Sequence, residues 1–238
     1  MSTKSPAFRV ALSIAVILGS LFFAVHIFFV GKGEASTTGT FLDRFAATDV
    51  RVVSYNILND TIFPSEDATQ ADKFERVLTA LDPDILNLQE IYDHSASDVV
   101  DLMNDIAPLP DASWHGHQGF DNVIISKYPL SLKRTAPVPF GDREVAIALV
   151  DLPDAQYDAD FYVMNNHYKC CGNSDPQRQR QSDSLVNWMR DARNPGGVVN
   201  LPTDTPMFVL GDLNIVGSPD PLNTLITGDI SDEGTYGT

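Results

Sequence analysis

Five polar residues stand where short apolar runs stop: Asn56 after VRVVSY, Glu90 after ILNLQ, His167 after FYVMNN, and Asp212 and Asn214 after MFVLG. Carboxylates, an imidazole and carboxamides can move protons and hold ions, provided that the fold aims them into one cleft. Strand ends along one edge of a sheet do that, because a rigid scaffold there points several side chains the same way. Period-two geometry sends Asp212 and Asn214 to one side and turns Leu213 back to the core. Each residue alone also has a plainer reading. Asn or Asp after a strand is commonly a turn former, and a single His beside an aromatic residue is commonly structural.

The elements that must position this set are legible as periodicity. DVRVVSYNI alternates as a strand from Asp49, with Val50, Val52, Ser54 and Asn56 on one face. Gln70 to Leu81 carries Phe74, Val77, Leu78 and Leu81 at helical spacing, and Asp82-Pro83 ends it. Ile85 to Leu88 is a second strand. Val99, Val100, Met103 and Ile106 mark a second helix closed by Pro108 and Pro110. Strands are expected at Val123 to Ser126, Val145 to Leu152, Asp160 to Asn166 and Met207 to Leu210. A helix after Pro176 would bury Leu185, Val186 and Met189. The class is mixed α and β, with helices flanking sheet.

The 238 residues suffice for a sizeable core, and their formal charge of −16 excludes a broad basic footprint for nucleic acid. Any phosphate-bearing partner must be held by local cations or a metal. Residues 1–9 carry Lys4 and Arg9 and precede the uncharged run Val10 to Val30, long enough for a bilayer of about 30 Å of hydrocarbon. The run exceeds the usual signal-peptide core of about 7–15 residues, so an uncleaved transmembrane anchor is expected, with cleavage near Ala35 the alternative. The flanking cations place the N-terminus inside and the rest outside the cytoplasm. Residues 31–48 form a linker and 49–238 the domain. The two cysteines, Cys170 and Cys171, are neighbours. Their Cα atoms sit about 3.8 Å apart, below the usual disulfide range of about 4.4–6.8 Å. A strained vicinal disulfide, a metal-binding pair and two buried thiols all remain open.

Five segments in order, SYNIL (54–58), LNLQE (86–90), FDNVIISKYPL (120–130), MNNHYK (164–169) and VLGDLN (209–214), resemble the endonuclease/exonuclease/phosphatase superfamily, which includes deoxyribonuclease I and bacterial sphingomyelinases. The resemblance runs from Arg51 to Pro221 and implies a deoxyribonuclease I-like four-layer α/β/β/α sandwich. It also implies hydrolysis of a phosphodiester, in nucleic acid or a phospholipid headgroup, with Mg²⁺ or else Mn²⁺ or Ca²⁺. Glu90 would be the principal metal ligand, supported by Asn56. Asp212 would orient the attacking water, Asn214 would bind a phosphoryl oxygen, and His167 would donate to the scissile phosphate or leaving group. Such a division suits the chemistry, since anionic phosphate oxygens repel a nucleophile until a cation and donors offset them. GDREVAIALV (141–150) resembles the family strand whose glutamate bonds the catalytic histidine, which would make Glu144 the partner of His167; a solvated edge-strand glutamate is the other reading.

Two departures bear on substrate. Tyr92 stands where deoxyribonuclease I has a minor-groove arginine, which weakens a DNA reading while leaving a ring that could stack on substrate. The family's last Ser-Asp-His motif has no match before Thr238, so the chain is expected to be a C-terminally incomplete domain of impaired activity. Arg178 and Arg180, at a helix start where positive charge opposes the macrodipole, are the local cations for a phosphate substrate unless they are merely solvated. The alternative to an enzyme is a membrane-anchored domain of the same fold that binds a phosphorylated ligand without turnover.

Overall fold

The computed structural model describes residues 10–13, 26–30, 42–44, 46, 48–137 and 143–237. Two sheets carry the fold. The first has the order β1 (Val10–Ser13), β2 (His26–Val30), β3 (Val50–Asn56), β4 (Ile85–Gln89), β6 (Asn122–Ser126), β5 (His115–Gly119). The second has the order β10 (Met207–Asp212), β9 (Phe161–His167), β8 (Glu144–Val150), β7 (Leu130–Pro137). Helices α1 (Pro64–Leu81) and α2 (Ala96–Ile106) cover the outer face of the first sheet, and α3 (Asp175–Ala192) covers the outer face of the second. Short helices α4 (Asp220–Thr227) and α5 (Glu233–Tyr236) follow.

Alternation along the strands sorts the core into three layers. Val53, Leu86 and Leu88 face the helices with Phe74, Leu78, Val99 and Met103. Their neighbours Val52 and Ile85 face the second sheet, against Ala146, Ala148, Phe161 and Val163. Val145, Ile147, Tyr162 and Met164 turn outward to Leu185 of α3. A strand with apolar residues at both phases must be covered on both faces, which is why these sheets are sandwiched and helix-coated. The expected α/β/β/α layering is therefore what forms.

Two pairs of parallel strands matter most. β3 and β4 are parallel and joined through α1; β9 and β10 are parallel and joined through α3. A parallel pair needs such a crossover, and both units finish at the same end of the sandwich. Within the inter-sheet layer the apolar packing gives way toward that end to amides. Gln89 Nε2 donates to Asn165 Oδ1 at 2.6 Å, and Asn165 Nδ2 donates to the carbonyls of Leu88 and Val123 at 2.8 and 3.0 Å.

Several expectations need correction. Both described ends of the apolar run Val10 to Val30 are strands, with β2 antiparallel to β3, instead of a continuous helix. The β-branched and aromatic residues of Ile27 to Val30 suit a pleated ladder, which gives the exposed edge of β3 a partner. The remainder of the run, residues 14–25, and the linker residues 31–41 lie outside the described residues. Among the described residues no helix is long and apolar enough to cross a membrane. The first helix begins at Pro64, six residues before the periodicity, across a kink at Asp67. Strands β5 and β7 escaped the sequence reading because His115 to Gly119 offers no apolar periodicity and the alternation from Leu130 is broken at Arg134, where the ladder shifts register.

Candidate active site

Four of the residues meet at the shared end. Asn56 closes β3 and sends one amide nitrogen to two carboxylates, Glu90 Oε1 at 2.8 Å and Asp212 Oδ2 at 3.1 Å. That single side chain ties the first sheet's site residues to the second sheet's. His167 pairs with Asp212 in the β9–β10 register, and its Nε2 lies 3.9 Å from Glu90 Oε1.

Backbone geometry aims each group. β4 ends at Gln89, and Glu90 turns into the left-handed region at φ 71°. Leu58, Asn59 and Asp60 are left-handed as well, so the loop curls back and Asn59 N–H donates to Glu90 Oε2 at 3.0 Å. The buried Asp60 carboxylate in turn accepts from Tyr92 N and Asp93 N, each at 3.0 Å, locking the loop after Glu90. In the second unit Gly211 has φ 125°, and a Cβ there would lie 1.9 Å from the Asn166 carbonyl oxygen. Only glycine lets β10 run this close to β9 before Asp212. Strained backbone held by several bonds is characteristic of functional loops.

The period-two reading stops at Asp212. Asn214 is left-handed at φ 48°; its N–H donates to Asp212 Oδ1 at 3.0 Å, and its Nδ2 donates to the Tyr168 carbonyl at 3.0 Å. Asn214 thus braces Asp212 and the segment after His167. The side chain of Leu213 is only half-buried.

The carboxylate behind His167 is Asp121. Its Oδ2 lies 2.5 Å from His167 Nδ1, and Asp121 is wholly buried. Arg143 Nη1 donates to the same oxygen at 2.9 Å and also touches Nδ1. The Asp121 carboxylate can only accept, so it holds a hydrogen on Nδ1 and leaves Nε2 facing Glu90. Glu144 is corrected accordingly. At the outer start of β8 its side chain is exposed, and only its backbone carbonyl takes part, accepting from Asn122 Nδ2 at 2.7 Å. Asp121 lies inside the FDNVIISKYPL segment, but nothing in periodicity distinguishes it from a turn residue before β6.

The cations differ from expectation too. Arg178 is fully buried and binds the carbonyls of Lys169 and Cys171, each at 2.8 Å, and the Asp175 carboxylate. It shapes the loop after His167 and is not available to a substrate. Arg180 is half-buried on the side of α3 toward α5, where its charge reaches Tyr236. Among the described residues, the cation in contact with His167 and Asp121 is Arg143. Tyr92 stands at the rim, edge-on to exposed Phe120 with ring centroids 6.0 Å apart, its hydroxyl 3.4 Å from Arg143. Burial, then the Asp121 carboxylate, pushes the Tyr92 phenol up to about 12.

Glu90 and Asp212, spanned by one amide nitrogen, offer hard oxygen donors on either side of a point where positive charge is welcome. That set fits a divalent ion such as Mg²⁺, which binds through one or two carboxylates and retains its waters. Among the described residues no three His, Cys, Asp or Glu side chains gather into an all-protein metal cage.

A two-sheet sandwich with carboxylates, an imidazole and carboxamides at the common end of two parallel strand pairs is the architecture of the deoxyribonuclease I-like hydrolases. The chain belongs to the Endonuclease/Exonuclease/phosphatase family, whose model matches residues 53–236. No curated protein sequence matches it. Among solved structures it is similar to the human Nocturnin catalytic domain with bound sulfate anion (TM-score 0.58, 16% identity, 76% of this chain and 69% of that one). It is also similar to a mannosyl-6-phosphatase from Bacteroides thetaiotaomicron (TM-score 0.53, 16% identity, 75% and 70%). TDP2 from C. elegans matches with a TM-score of 0.50 and 20% identity over 69% of this chain. This chain spans 47% of that one's length.

Proposed function

We propose that the protein hydrolyses a phosphodiester with the help of a divalent cation. The observation that carries this reading is the Asn56 amide joined to both Glu90 and Asp212 beside His167 Nε2. Glu90 and Asp212 would hold the ion, Mg²⁺ by the hardness of the donors; when bound it supplies charge for the phosphate oxygens and acidifies water. Asp212 Oδ2 would accept a hydrogen from the attacking water and so orient it. His167, carrying hydrogen on both ring nitrogens with Nδ1–H on Asp121, would donate from Nε2 to a phosphate oxygen or the leaving group. Asn214 would hold the Tyr168 carbonyl and Asp212 at fixed separation while this happens.

The substrate would be a nucleic-acid or phospholipid-headgroup phosphodiester. The bound sulfate of Nocturnin, an anion of phosphate shape, and the phosphatase activity named for the Bacteroides protein support a phosphate ester as the reacting group. With the net charge of −16, a polyanion would be repelled except where the ion and Arg143 act locally. Bis(p-nitrophenyl) phosphate, turned over with added Mg²⁺ and compared between wild type and Glu90→Gln, tests the reading. Loss of turnover in the variant is expected; turnover that survives with unchanged Mg²⁺ dependence would sink it.

The location proposed is outside the cytoplasm, on the strength of Lys4 and Arg9 ahead of the apolar run. A run whose described ends pair as strands of the first sheet cannot at the same time be one continuous helix in a bilayer. Alkaline carbonate washing of membranes decides between those uses: release of the full-length chain excludes the anchor.

A further inference from the structure

The loop after His167 carries the chain's two cysteines, which the proposed hydrolysis does not use. Cys170 is half-buried and Cys171 exposed, both as free thiols, so the buried-thiol reading fails for Cys171. Their backbone is fastened on both sides. Buried Arg178 grips the Lys169 and Cys171 carbonyls, Ser174 N–H donates to the Cys171 carbonyl at 3.2 Å, and Lys169 N–H donates to buried Gln181 at 3.0 Å. Cys171 itself is held at φ 79°, a left-handed value that a non-glycine residue adopts only when its surroundings impose it.

Two adjacent thiols on a pinned backbone can be bridged in two ways. A direct disulfide between adjacent residues must fit Cα atoms about 3.8 Å apart, against a usual minimum of about 4.4 Å, so it would pull the loop off Arg178. Insertion of one soft atom between the sulfurs lengthens the bridge beyond a single S–S bond and suits thiolate's preference for soft partners. We propose that Cys170 and Cys171 form a two-thiolate binding site for a trivalent metalloid, taken up as a monosubstituted arsenical. The step is a condensation without redox change. Two As–S bonds form, the arsenic–oxygen bonds break, and the oxygen leaves as water carrying both thiol protons. Because the Tyr168 carbonyl accepts from Asn214 and Tyr168 N–H donates to the Asp212 carbonyl, the occupied loop lies one link from the candidate active site.

The test uses the reduced full chain, phenylarsine oxide and intact-mass spectrometry, a readout independent of hydrolysis. With no other cysteine in the chain, the expected product is a single adduct of one phenylarsine oxide less one water. It should survive excess 2-mercaptoethanol, be removed by dithiothreitol, and be absent from both Cys170→Ser and Cys171→Ser under the same wash. Absence of the adduct in wild type, its equal retention by either single variant, or its removal by the monothiol would overturn the site. Circular dichroism of the two variants, expected to match wild type, separates lost binding from lost folding.

Discussion

The two parallel strand units are built alike and finish differently. β3–α1–β4 delivers Asn56 and Glu90; β9–α3–β10 delivers His167 and Asp212. In the first unit the side chain that would bind a cation is held by neutral donors, the Asn56 amide and the Asn59 N–H. In the second, the imidazole is held by charge, the buried Asp121 shared with Arg143. A ligand for a cation must keep its own charge available, so neutral support suits Glu90. A histidine that donates from Nε2 must carry hydrogen on Nδ1 as well and hold its orientation, so a buried carboxylate on Nδ1 suits His167. The fold repeats a scaffold, and the loops at its end divide the labour.

The sharpest way to break this comparison is to neutralise Glu90. Glu90→Gln keeps the shape and the bond to Asn56 but removes the charge a cation needs, and hydrolysis should fall by about 10³-fold, the several kcal/mol that a bound metal contributes. Raising Mg²⁺ should restore little of it. A variant with near wild-type turnover at low Mg²⁺ would remove Glu90 from the reacting centre.

The second unit's charged support is tested by a pair of variants. Asp121→Asn should lower kcat by about 10–100-fold, the usual cost of losing an orienting carboxylate, with KM little changed. Glu144→Gln, at an exposed side chain, should leave both constants within about twofold. If Glu144→Gln proved the more damaging, the sequence resemblance would have identified the partner of His167 and the geometry would not.

The join between the units is the next target. Gln89→Leu leaves the buried Asn165 Oδ1 and Ser54 hydroxyl without their partner. A loss of about 1–3 kcal/mol is expected. For a chain of this size that means a fall in Tm of roughly 2–4 °C per kcal/mol, read by calorimetry. An unchanged Tm would show that the amide layer aligns the sheets without stabilising them.

How much of this could be read from residues alone follows from what periodicity encodes. Val52 and Val53, Leu86 and Leu88, and the stripe Phe74–Leu78–Leu81 announce layers, because burial is written into apolar spacing. Asn56, Glu90, His167 and Asp212 were visible as polar interruptions at strand ends, and the structure brings those four together. The partner relations were not visible. Asp121 and Glu144 are both acids near a strand start, and only the packing of the β5–β6 hairpin against β8 decides which one lies behind His167. Arg178 looked like a substrate cation because a helix N-terminus disfavours it. The carbonyls that hold it come from a loop whose path no local pattern predicts. The same holds for Asn214, whose left-handed turn ends the alternation that had placed it beside Asp212.

The smallest effect expected sits away from the site, on the outer face of the second unit, and separates structural from functional phenols. Buried Tyr162 stacks on Trp188 and donates to the Leu132 carbonyl at 3.0 Å, and burial raises its phenol from the ordinary value near 10 to about 12. The folded state therefore holds a proton that the unfolded chain gives up first. Its contribution is complete below about pH 10 and is lost as pH rises through about 12. Tyr162→Phe keeps the ring and the stack. At neutral pH it should cost only the hydrogen bond, about 0.5–1.5 kcal/mol, and it should make the decline in urea midpoint between pH 10 and 12 shallower. Tyr92→Phe, whose phenol is raised to a similar value at the half-exposed rim, should flatten that decline less, because solvent already reaches its ring. Equal slopes in the two variants would show that burial of the second unit's outer face does no more to hold a phenolic proton than the open rim of the site.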